Sequence, residues 1–136
     1  KTNMLGRPAI YKTSILKEVG MDVSFNGIGN EDAALSIKIE SFGGVQGKGS
    51  GASYRYHPSS FKENLKAWKK YGLGDAQLIK QYPKKFYNIL VHLLYVYPIK
   101  RSLYYLINGE VKYVAYPILS SLIRFYYMIK GLIIWK

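Results

Sequence analysis

The chain has 136 residues, enough for one domain with its own core and too few for two of full size. Apolar residues make up 49% and charged residues 21%, which excludes a disordered tail; the lack of cysteine excludes disulfides, thiolate zinc sites and a cysteine nucleophile. A net charge of +12 calls for a polyanionic neighbour.

Residues 1–81 carry 12 basic and 7 acidic groups, whereas residues 82–136 carry 8 and 1 and are also the more apolar. That pairing favours an anionic membrane surface over nucleic acid, for which no motif is present. The organisation expected is residues 1–82, then a helical, membrane-associated region over 83–136.

Residues 13–20 (TSILKEVG) predict a short helix with Thr13 or Ser14 as cap and Gly20 as stop. Residues 21–30, rich in Gly and Asn, predict a loop. A second helix is expected to open at Asn30 as N-cap, with Leu35, Ile39 and Phe42 on one face and Gly43-Gly44 as terminator. The alternation Ala52 to His57 predicts a strand with Ser53, Arg55 and His57 on one side. Ser60 and Glu63 form a capping box for a third helix, with Phe61, Leu65 and Trp68 on one face and Lys62, Lys66, Lys69 and Lys70 on the other.

After Pro83 the chain becomes almost wholly apolar. Segment 86–98 is short for a bilayer span, and 113–135 is long enough but interrupted by Arg124 and Lys130. Pro98 and Pro117 are expected to kink or break helices. Interfacial helices fit best, with tyrosines and Trp135 at headgroup depth; a packed helical hairpin and a true span are the alternatives.

Among groups that can do chemistry, Glu31-Asp32 stands out. Carboxylates in a first helical turn complement the helix N-terminus, worth roughly 0.3–1 kcal/mol. The same position after a glycine-rich loop suits a general base facing a cleft. Asn3 to Arg7 (NMLGR), Val19-Gly20-Met21-Asp22, Gly29-Asn30-Glu31-Asp32, Phe42-Gly43 and Tyr56-His57-Pro58 occur in that order. Over about residues 3–75 this resembles the second half of the catalytic domain of family-2 glycosyltransferases.

The resemblance implies an α/β fold, a partial GT-A fold without its nucleotide-binding half. It implies an inverting transferase at the cytoplasmic face of the cell membrane, moving a sugar from a nucleotide-diphospho-sugar to a glycan or lipid-linked acceptor. Carried over, Asp32 is the catalytic base; Asn3, Arg7, Glu31 and Trp68 lie on the acceptor side; Arg55 suits the diphosphate and His57 the metal. Processive members carry Gln-x-x-Arg-Trp on a comparable helix. Here the matching positions are Asn64, Ala67 and Trp68, so a non-processive enzyme is expected and Trp68 also reads as a core residue.

The family's Asp-x-Asp motif, which holds a divalent metal (Mn or Mg), does not occur in this chain. The donor half is therefore expected upstream, and residues 1–136 alone are expected to be inactive. The rival reading is a non-catalytic, basic membrane-binding module.

Overall fold

A computed structural model describes residues 11–25, 28–45 and 60–134. The helices are α1 (Thr13–Val19), α2 (Glu31–Ser41), α3 (Phe61–Gln81), α4 (Phe86–Val91), α5 (Tyr97–Ile107) and α6 (Ala115–Ile134). Contacts divide the chain into two compact units, residues 1–26 with 30–57 and residues 27–29 with 58–136.

The expected α/β, partial GT-A fold is overturned: among the described residues every regular element is helical and there is no strand. The strand expectation rested on the alternation at 52–57, which lies outside the described residues, and on the resemblance. A strand is stable only beside others. The described apolar residues are spaced to bury helix faces instead.

In the first unit, α1 starts one residue earlier than expected, with Lys12 at the N-cap position, and ends at Gly20, which takes a positive φ of 67°. The expected loop contains a 3-10 turn, Val23–Phe25, whose Phe25 is buried. Asp22 shapes this turn by accepting the Ser24 N–H at 2.9 Å. Leu35 and Ile39 pack with Val19, flanked by Tyr11, Ile15 and Leu16. Phe42 lies outside this core, because the helix has ended. Gly43, at φ +78°, donates to Glu40 O, and Gly44 donates to Ile39 O, the paired closure of a Schellman turn.

The second unit is built on α3 and α6. Ser60 Oγ accepts the Glu63 N–H at 3.3 Å, so the predicted cap is in place. The helix continues to Gln81, beyond the predicted amphipathic stretch. α3 thus packs with the C-terminal helices, in the same compact unit. Ala76 and Ile79 of α3 form a core with Leu93 and Met128, closed by Ile89, Leu90, Phe125 and Leu132. Burying a side chain such as Met128 contributes roughly 1.5–3 kcal/mol.

Pro98 and Pro117 do not break the helices. Pro117, third in α6, lies in a first turn, where a missing N–H costs nothing; Pro98 lies inside a run of helix unbroken from Phe86 to Ile107, directly after a widened turn. Between α4 and α5, residues His92–Val96 form one widened π turn in which the Tyr97 N–H reaches back to His92 O.

Candidate functional site

In the first unit the candidate site is the start of α2. Asn30 holds the N-cap position in the left-handed region, φ 74°, and its carbonyl accepts the Ala34 N–H at 3.0 Å. That conformation costs a non-glycine residue about 1–2 kcal/mol, least for Asn or Asp. Glu31 and Asp32 follow, both half-buried, while Ala33 to Ser36 are buried behind them. Asp32 Oδ1 accepts the Ala33 N–H at 3.0 Å, the contact a carboxylate makes when it satisfies a helix start.

Asn3, Arg7, Arg55 and His57 lie outside the described residues. Trp68, expected on the acceptor side or in the core, is only 6% exposed. Its ring is held edge-on between Phe61, at 5.9 Å, and Tyr116, at 4.9 Å. Among the described residues no group of three His, Cys, Asp or Glu side chains is placed to hold a metal.

The second unit presents different chemistry. Arg124, expected to be an expensive interruption of an apolar helix, grips Asp75 of α3 with Nη2 at 2.8 and 3.0 Å and Nε at 3.3 Å. The guanidinium also lies over the Tyr71 ring at 5.4 Å. The cation is neutralised inside the protein, so the apolar stretch around it needs no snorkelling arginine.

Among the described residues one helical stretch, Val111–Ile134, is long and apolar enough to cross a membrane, and 28% of its most apolar part is buried. Beside it α5 leaves Ile99, Leu103, Leu106 and Ile107 exposed. Cations border these residues: Arg101 lies over Tyr104 at 5.9 Å, and Lys112 over Tyr113 at 4.9 Å. His92, at the surface near the Asp75–Arg124 pair, has its pKa lowered, first by partial burial and then by the positive charge of Arg124.

Sequence reasoning missed Asp75–Arg124 and the role of the serines on α6. A signal was present: Pro117, Ser120, Ser121, Arg124, Met128 and Gly131 recur at helical spacing as small or adaptable residues, and all six are buried or nearly so. Comparison with protein families, curated proteins and solved structures finds no match for this chain.

Proposed function

We propose that this chain is the acceptor-side part of an inverting, nucleotide-sugar-dependent glycosyltransferase that works against an anionic membrane at the cytoplasmic face. The observation that carries the transferase reading is the Glu31-Asp32 pair at the opening of a formed helix, directly after the left-handed turn at Asn30. In this reading the Asp32 carboxylate takes the proton of the acceptor hydroxyl as its oxygen bonds to the anomeric carbon. The nucleotide diphosphate leaves from the opposite face with the bonding electron pair. Holding donor and acceptor in line supplies more of the rate than the base does. The acceptor is a glycan or a lipid-linked sugar.

The membrane part is supported by the exposed apolar face of α5 and α6 with Lys100, Arg101 and Lys112 beside it. It lies on the membrane rather than across it. α6 packs along α3, whose exposed side chains include Lys62, Lys66 and Lys70, and that partner is too polar for hydrocarbon.

The test is Asp32→Asn in the complete enzyme. A base role predicts a fall of about a hundredfold to ten-thousandfold in turnover with donor binding and melting temperature nearly unchanged. A helix-start role predicts a small stability loss and near-normal turnover. Glu31→Gln is expected to cost less than Asp32→Asn, and His57→Ala to weaken metal or diphosphate handling. A second reading, a non-catalytic membrane module, is favoured by the amphipathic α5–α6 pair; it predicts vesicle binding with no sugar transfer by the complete protein.

A further inference from the structure

Between α5 and α6 runs an apolar groove of about 450 Å³, lined by Leu94, Pro98, Ser102 and Leu106 on one side and Ile118 and Ser121 on the other, with others at its mouth. Its size falls in the roughly 300–1,000 Å³ range of small-molecule sites. Ser102 and Ser121 both line it, and a larger side chain at either position would fill it. Ser102 Oγ donates to Val114 O at 2.7 Å, which spends its proton at the helix turn. Ser121, 3% exposed, has no hydrogen-bond partner among the described residues.

We propose that this groove takes the acyl chain of an anionic lipid drawn from the leaflet on which the protein lies. The proposal rests on the membrane-surface reading above. Three observations choose a hydrocarbon chain over a peptide. The lining offers no array of donors and acceptors to satisfy a peptide backbone, whose unpaired groups are costly in an apolar slot. The mouth continues into apolar side chains left in the open, Ile99 at 54% and Leu122 at 58% exposure. Cations stand within a turn of the lining: Lys100 and Arg101 fall between Ile99 and Ser102, and Lys112 precedes Val114 by two residues. Tyr104 and Tyr113, under Arg101 and Lys112, are amphipathic rings of the kind that sit at headgroup depth. The positive charge of this segment complements an anionic headgroup, and the apolar lining complements a single chain.

The experiment uses the full 136-residue chain and lysophosphatidylglycerol below its micelle concentration, followed by titration calorimetry. The unaltered chain is expected to bind it, and Ser121→Leu, which fills the groove from inside, to weaken binding at least about tenfold. Leu103→Trp narrows the mouth from a half-exposed position and is expected to do the same without disturbing the fold. A lysophosphatidylglycerol carrying a photoreactive group halfway along its chain, illuminated in vesicles, is expected to label α5 and α6 at the lining residues. Unchanged affinity in either folded variant, or labelling confined to other helices, overturns the groove. A dimer that dissociates on filling the groove, with no lipid bound, assigns it to a second copy and also overturns it. Vesicle sedimentation reads the underlying premise separately. A chain that binds the monomeric lipid through this groove but does not pellet with anionic vesicles sustains the groove and sinks the membrane-surface reading.

Discussion

Arg124 of α6 and Asp75 of α3 form a forked ion pair with side chains 18% and 5% exposed, in the middle of the contact between the two longest helices of the second unit. Removing one partner strands the other charge in a poorly solvated place. Asp75→Asn or Arg124→Gln is expected to destabilise the fold by about 3–5 kcal/mol. The double replacement Asp75→Leu with Arg124→Met is expected to recover most of that loss. Urea unfolding of the double variant beside its own components, Asp75→Leu and Arg124→Met made singly, checks it. Additive losses would mean that the pair does not act as a unit.

Gly72 marks the closest approach of the same two helices. A Cβ built there meets Arg124 O at 2.5 Å and Tyr127 Cβ at 2.8 Å. Backbone cannot swing aside as a flexible side chain does, so the helices must separate. Gly72→Ala is therefore expected to cost about 1–3 kcal/mol from overpacking, despite the roughly 1 kcal/mol that alanine gains over glycine in a helix. A melting temperature equal to or above that of the parent would refute the close approach.

For membrane attachment, the exposed residues Ile107 and Val111 lie outside the groove lining. Ile107→Glu with Val111→Glu is expected to lower binding to anionic vesicles at least about tenfold while leaving the melting temperature unchanged. Lys100→Gln with Arg101→Gln is expected to weaken binding by about 1 kcal/mol per charge and to flatten its salt dependence. Vesicle sedimentation across a salt series measures both. Equal pelleting of the glutamate variant and the parent would place the contact elsewhere.

His92 sets a pH dependence. Its folded pKa is lowered from the ordinary 6.5 by partial burial and by the positive charge of Arg124, with Lys100 adding to this and Asp75 opposing it. The unfolded chain therefore takes up the proton first as pH falls. Stability is full above about pH 6.5 and declines as pH drops through that value, levelling once the folded ring is protonated too. Urea midpoints measured between pH 7.5 and 5.5 are expected to fall, and His92→Gln is expected to flatten the profile. A parent whose midpoint is constant over that range contradicts the assignment.

Local signals in the sequence translated directly where they were backed by backbone chemistry. Gly20, the Gly43-Gly44 turn and the Ser60 cap all lie where expected, because each satisfies orphan amides or carbonyls within a few residues. What depended on distant partners did not translate. Leu65 was expected on the apolar face with Trp68 but is 38% exposed, since the continuation of α3 through Gly72, Asp75, Ala76 and Ile79 supplies the real contact face. Arg124 read as a fault in an apolar helix because its partner lies 49 residues away. The α/β expectation came from order of motifs, which carries no information on whether neighbouring strands exist to pair. At the start of α2 the Asn30 and Asp32 positions were legible, while the left-handed turn at Asn30 was not, since no spacing rule encodes it.

The widened turn at His92–Val96 has a bearing on how this segment tolerates changes of length. Inward-facing Leu93 is followed by buried Pro98 five residues on, one more than a regular helix allows, so the turn absorbs a surplus residue. A version one residue shorter within 94–96, with Pro98→Ala so that no ring meets the carbonyl four back, would form a regular helix with the same residues facing inward. The same deletion within Tyr97–Ile107 would turn everything beyond it by about 100° and carry Ser102 away from Val114. Length is negotiable at the widened turn and fixed on either side of it.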